Sequence, residues 1–154
     1  GVRALNLEED DIVVGMVPVM ENTTVLTVSE NGQGRRTDPA EYRLQSRGGK
    51  GIKNYDTQKN GPVAGVLAVG EEDDVILISD DGIIIRIPVA EISTQSRYAG
   101  GVRVMRIGEG SRLVSLCRAP HEDEEEAAAE SEAPAEAETP AEETADSTGT
   151  PVEE

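Results

Sequence analysis

The chain has 154 residues, a formal net charge of −17 and a single cysteine, Cys117. One cysteine excludes an internal disulfide and suits a reducing cytoplasm; no signal peptide is expected, and no apolar run is long enough to span a membrane. The charge is uneven: all fourteen Lys and Arg lie in residues 1–118 beside seventeen acids, whereas residues 119–154 carry fourteen acids and no Lys or Arg.

The first fifty residues align with the second fifty without a gap. Identities fall at Gly1/Gly51, Val13/Val63, Gly15/Gly65, Val25/Val75, Ser29/Ser79, Gly32/Gly82, Arg36/Arg86, Gln45/Gln95 and Arg47/Arg97, among others. A third copy begins at Gly101-Val102-Arg103, in phase with Gly1-Val2-Arg3 and Gly51-Ile52-Lys53. A period of this length marks a propeller, a solenoid or an array.

Taken in chain order, one period predicts four strands. Residues 51–55 begin the first. Residues 62–69 form the second, where Gly65 marks a bulge or a close backbone approach. Residues 74–79 are apolar throughout Val75-Ile76-Leu77-Ile78, as expected of a strand covered on both faces. Asp81-Gly82, like Asn31-Gly32 one period earlier, turns the chain into a fourth strand, Ile83 to Ile87. Pro39 and Pro88 end those fourth strands. Four strands per repeat make a blade, and neighbouring blades cover each other's faces. The expected fold is therefore all-β and propeller-like, with two-plus blades in residues 1–118. Propellers typically hold four or more blades, so an incomplete wheel is expected. The chain opens in mid-repeat without Met, and a fragment of a longer protein is expected. Trp and Phe are absent, which leaves the core to Val, Ile and Leu. Residues 119–154 are Glu, Ala, Thr, Ser and Pro with almost no large apolar side chain. Such a segment is expected to be a disordered acidic tail.

The cations recur in phase. Arg36/Arg86, Arg47/Arg97 and Arg3/Lys53/Arg103 take the same place in successive copies. In a repeat protein the same phase means the same face, so a positive stripe is expected on a body whose net charge is only −3. Evenly spaced cations suit the regularly charged backbone of duplex DNA. The stretch Gln45-Ser46-Arg47-Gly48-Gly49-Lys50-Gly51-Ile52-Lys53 concentrates them, with no acid between Glu41 and Asp56. Its glycines let backbone amides approach phosphates. Base readout is not expected, because no helix-turn-helix, zinc ligand set or aromatic platform is visible; scarce aromatics also argue against single-strand binding. Catalysis finds no support. His121 is expected to be solvated, Cys117 to lie in the core, and no residues have metal-loop spacing. A polyanionic tail tethered beside cations is expected to compete with DNA for them.

The stretch Gln45 to Gly51 resembles the signature box found in the C-terminal domain of the DNA gyrase A subunit, Gln-Arg/Lys-Arg-Gly-Gly-Arg/Lys-Gly, with Ser46 departing from it. Gln95 to Gly101 is a more degraded copy that keeps Gln, Arg and the final Gly. Asn31 to Thr37, Glu41-Tyr42 and Glu91-Ile92-Ser93 are also similar to the last blades of that domain. The resemblance implies a β-pinwheel that wraps duplex DNA on its basic rim without sequence specificity. It implies DNA contacts from Arg3, Arg36, Gln45, Arg47, Gly48, Gly49, Lys50, Gly51, Lys53, Arg86, Arg97 and Arg103. It further implies the rest of the A subunit, together with a B subunit in an A2B2 complex, in the cytoplasm on the chromosome. ATP and magnesium belong to that holoenzyme, and the resemblance places neither on this chain. Two alternatives stay open: the C-terminal domain of the topoisomerase IV A subunit, and a protein-binding scaffold like the propeller of the regulator of chromosome condensation.

Overall fold

The computed structural model describes residues 1–121. Among the described residues seven strands carry the fold: β1 Thr24–Ser29, β2 Gln33–Thr37, β3 Val63–Val69, β4 Asp73–Ser79, β5 Ile84–Pro88, β6 Val102–Arg103 and β7 Leu113–Pro120. The helical elements are two 3-10 turns, Pro39–Glu41 and Val89–Glu91, and one α turn, Thr57–Asn60. The chain is all-β, as the period predicts.

The strands form two separate sheets, one in the order β3-β1-β2-β6 and the other β5-β4-β7, every pair antiparallel. Each sheet is an unclosed blade built on a tight hairpin. The turn glycines Gly32 and Gly82 have φ of 74° and 85°, which only glycine adopts without strain. Membership of a blade differs from the expectation drawn from the period. The strands of one blade do not come from one copy: β3 of the second copy pairs with β1 of the first, and β7 of the third pairs with β4 of the second. Each hairpin thus receives its next strand from the following copy. The exchange repeats in register, down to the irregularity between Val28 and Ser29 and again between Ile78 and Ser79.

Gly65 serves both roles expected of it. It lies at that irregularity, and a Cβ there would meet Leu116 Cδ2 of β7 at 2.3 Å. Residues 51–55 are not a strand. Their backbone is held by a side chain instead, since the Arg35 guanidinium donates to the Asn54 carbonyl at 2.5 Å. Residues 119 and 120, expected in the tail, belong to β7, opposite Asp74 and Asp73. Residues 122–154 of that tail lie outside the described residues.

The core joins both blades through Leu26, Val28, Val69, Val75, Leu77, Val89, Ile92, Val104, Met105 and Leu113. Cys117, expected among them, is exposed on β7.

The two turn glycines should respond unequally to alanine. A Cβ on Gly32 would sit 2.3 Å from the Met105 carbonyl oxygen, whereas one on Gly82 meets nothing within 4 Å. Gly82→Ala should cost about 1–2 kcal/mol from backbone strain alone. Gly32→Ala should cost clearly more, because the backbone that follows β6 must also move. Urea denaturation of the two variants checks this, and equal losses would show that the Met105 backbone yields freely.

Candidate nucleic-acid interface

The box loop is fixed by the segment before it. Gly48 N donates to Ala4 O at 2.9 Å, and Asn6 N donates to Gly49 O at 2.9 Å, so Leu5 and Gly49 form a parallel bridge. Gly48 and Gly51 have φ of 74° and 80°, which lets the loop double back. The Gly48 amide is therefore spent on Ala4 and does not face outward for a phosphate. Gln45, Arg47, Lys50, Gly51 and Lys53 are exposed, and Gly49 is half-buried. Lys50 Nζ lies 3.1 Å from Glu8 Oε1, with both side chains largely in solvent, an arrangement worth little. Lys53 Nζ lies 3.3 Å from Asp56 Oδ2. Arg3 donates to the Asn6 side chain at 3.3 Å.

The degraded copy is held differently. Gln95 N donates to Arg36 O at 2.8 Å, and Arg97 N donates to Glu41 Oε2 at 2.9 Å. The Arg97 guanidinium lies 4.5 Å from the Tyr98 ring centre, donates to the Tyr98 hydroxyl at 2.6 Å and also donates to Lys53 O. Those acceptors are neutral, so the positive charge of Arg97 is not cancelled by a described acid. Tyr98 is 82% exposed beside it. Arg47 and Arg103 are likewise exposed without an acidic partner among the described residues.

The in-phase arginines Arg36 and Arg86 differ: Arg36 is buried, whereas Arg86 is exposed but engaged by its neighbours. Arg36 is 3% exposed, with Nη1 on Glu71 Oε2 at 2.7 Å and Nε on Ile92 O. Arg86 directs Nε to Asp74 Oδ2 at 2.7 Å and Nη2 to Pro120 O at 2.7 Å. Each arginine meets a carboxylate, Arg36 that of Glu71 between β3 and β4, and Arg86 that of Asp74 on the neighbouring strand β4. At Arg36 the place in a strand, where alternate side chains turn inward, opposes the surface reading that its charge suggests. Arg35, which the sequence did not single out, is 1% exposed and rests 5.3 Å over the Tyr55 ring.

Asp74, 4% exposed, also receives His121 Nδ1 at 2.7 Å, so His121 is not simply solvated. Burial pushes the Asp74 carboxyl up, but hydrogen bonds and charge from His121 and Arg86 outweigh it and hold the group below the usual carboxylate value. A depressed folded-state value stabilises the fold above the unfolded value, about 3.9. That stabilisation is lost as pH falls through the lower folded value. The stability gap between the parent chain and Asp74→Asn should therefore close on acidification below about pH 4. Thermal denaturation against pH measures it, and a gap constant with pH would contradict the assignment.

Among the described residues no cluster of three or more His, Cys, Asp or Glu could hold a metal ion, and no helix is long and apolar enough to cross a membrane. The site consists of exposed cations on glycine-rich loops and at blade edges.

Antiparallel blades repeated every fifty residues and joined by an exchanged strand define a propeller-class repeat protein. The model of the DNA gyrase C-terminal domain, beta-propeller, matches residues 1–20, 23–69 and 73–116. The chain belongs to that family. The DNA gyrase A subunit of Staphylococcus epidermidis is 39% identical over 127 residues, 80% of this chain and 14% of that protein. The DNA gyrase A subunit of Staphylococcus aureus is 37% identical over 129 residues, 82% of this chain and 15% of that protein. The chain thus spans about one seventh of the curated relatives it matches. A solved DNA gyrase A C-terminal domain superposes with a TM-score of 0.69 at 32% identity, covering 77% of this chain and 41% of that one. The C-terminal domain of DNA topoisomerase IV shares the fold, with a TM-score of 0.71 at 23% identity, covering 85% of this chain and 42% of that one.

Proposed function

We propose that this chain binds duplex DNA through its phosphate backbone, without sequence preference, and wraps it as part of the A subunit of a DNA gyrase. The observation that carries the reading is the set of cations whose charge no described acid cancels, the exposed Arg47 and Arg103 and the half-buried Arg97. Membership of the gyrase C-terminal domain family supports it. Arg3, Gln45, Lys50 and Lys53 extend the same surface, and Gly48, Gly49 and Gly51 set the loop that carries it. Arg36 acts inside the first blade, and Arg86, exposed on the edge strand of the second, is held by Asp74. The whole enzyme, by this reading, joins the chain to the rest of the A subunit and to a B subunit in an A2B2 complex. It acts on the bacterial chromosome in the cytoplasm and supercoils DNA negatively with ATP and magnesium, whose sites lie in other parts of the complex.

Competition between unrelated linear duplexes for the chain tests the binding. Equal displacement by all sequences is expected, because phosphate contacts carry no sequence information. Absence of duplex binding at low salt would favour a protein-interaction scaffold instead.

A further inference from the structure

At the β6 edge of the first blade a cleft of about 350 Å³ is lined by Asn31, Gln33, Arg103, Met105, Arg106 and Ile107. We infer that this cleft is a phosphate seat, with Arg103 and Arg106 neutralising adjacent phosphodiesters of a duplex and Asn31 and Gln33 donating to their oxygens. This rests on the reading above of the chain as a duplex binder, and it assigns the strongest contact to residues that the box does not contain.

The register builds the seat. Gln33 stands opposite Arg103 where β2 pairs with β6, and residues directly opposite in an antiparallel pair point to the same face. Val104 N and Met105 N both donate to Gly32 O, at 2.9 and 3.2 Å, which lays residues 104–107 along the Asn31-Gly32 turn. Met105 is 3% exposed and closes the floor. Arg103 and Arg106 are both exposed, and neither forms an ion pair or hydrogen bond with a described residue. No acid lines the cleft. Two uncompensated cations lining one cleft repel each other, and a phosphate group, which guanidinium planes bind in a forked geometry, relieves that repulsion.

The internal repeat supplies the contrast. The phase of Arg103 and Arg106 holds Arg3 and Asn6 in the first copy, joined at 3.3 Å, and Lys53 and Asp56 in the second, ion-paired at 3.3 Å. The summed charge at this phase is therefore one positive in the first copy, zero in the second and two positive in the third. Asn31 and Gln33 are replaced in the second copy by Asp81 and Ile83. Only the third copy, set against the first hairpin, combines two free cations with two carboxamides.

The test measures binding of a linear duplex of mixed sequence to the full chain across a salt series. Arg103→Gln with Arg106→Gln should lower the slope of log K against log salt by about 1.8, since each neutralised phosphate contributes about 0.9. Gln33→Glu, which puts an acid into the seat, should weaken binding about fivefold to tenfold at 0.1 M salt. Asn22→Asp adds the same charge before β1, at the end of that strand away from the Asn31-Gly32 turn, and should leave affinity within about twofold. Matched thermal midpoints confirm that the variants fold. An unchanged slope in the double variant, with the parent still binding, removes the cleft from the duplex path and leaves the general reading intact. Equal weakening by Gln33→Glu and Asn22→Asp shows a net-charge effect and overturns the seat. Displacement of the duplex by millimolar inorganic phosphate at constant ionic strength makes it a free-anion site and overturns it as well. Failure of the parent chain to bind duplex at all defeats both readings together.

Discussion

Replacing Arg47, Lys50, Lys53, Arg97 and Arg103 together by glutamine should reduce the salt slope of duplex binding by roughly 4, at about 0.9 per phosphate contact. At 0.1 M salt that corresponds to a loss of about three to four orders of magnitude in affinity. The five do not contribute equally. Arg47 and Arg103 have no described acidic partner, and the bonds that hold Arg97 are to a carbonyl and a phenol. Lys50 must leave Glu8, a cheap exchange between two exposed groups. Lys53 is paired within three residues to the half-buried Asp56 and should contribute least. Because the effect is electrostatic and independent of base sequence, the loss should be the same on every duplex. Folding stability should barely change when Arg47, Lys50, Lys53 or Arg103 is replaced singly, since exposed charges contribute little. A slope that survives all five changes would place the duplex on another face.

Arg35→Met should have the opposite profile, costing about 3–5 kcal/mol of stability. Arg35 is fully inside the first blade. Its Nε donates to Thr37 Oγ1 at 2.9 Å, Nη1 to Ala99 O at 2.6 Å and Nη2 to Asn54 O at 2.5 Å. It thus ties β2 to the segments on either side, and no acid shares the work. Removing the guanidinium leaves two part-buried carbonyls without that donor, each worth up to about 1–3 kcal/mol, and opens the contact over Tyr55. Arg35→Lys should recover only part of the loss, because a point ammonium cannot reach three acceptors held in a planar fork. Urea midpoints at a constant denaturant slope report the effect. A stable Arg35→Met chain with a reduced salt slope would instead make Arg35 a contact residue.

What was legible in the sequence was local. Strands β3, β4 and β5 announce themselves by apolar runs, by the Asp81-Gly82 turn and by the terminating Pro88. The exchange of strands between copies was not legible, because a perfect period is equally compatible with β3 pairing inside its own copy or with the hairpin before it. Strand β2, Gln33–Thr37, is buried although it contains no aliphatic side chain. Its arginines satisfy their charge through carbonyls and Glu71, so charge was a misleading guide to exposure at Arg36. Cys117 erred the other way: it stands in an apolar-looking strand whose outward positions are open to solvent. Arg106 was missed because its phase mates are Asn6 and Asp56. A search for recurrent cations passes over a position where only one copy is basic, and only the pairing of β6 with β2 brings it beside Gln33.

The central claim is that duplex DNA wraps on these blades rather than merely adhering to them. Ligation of a nicked circular duplex in the presence of saturating chain measures this directly, since any wrapped turn is trapped as a change in linking number. The account predicts a topoisomer distribution displaced in the positive sense relative to DNA ligated alone, with the displacement lost in the five-cation variant even at concentrations that restore binding. A distribution centred where the free circle is centred, at full occupancy of the DNA, would contradict it.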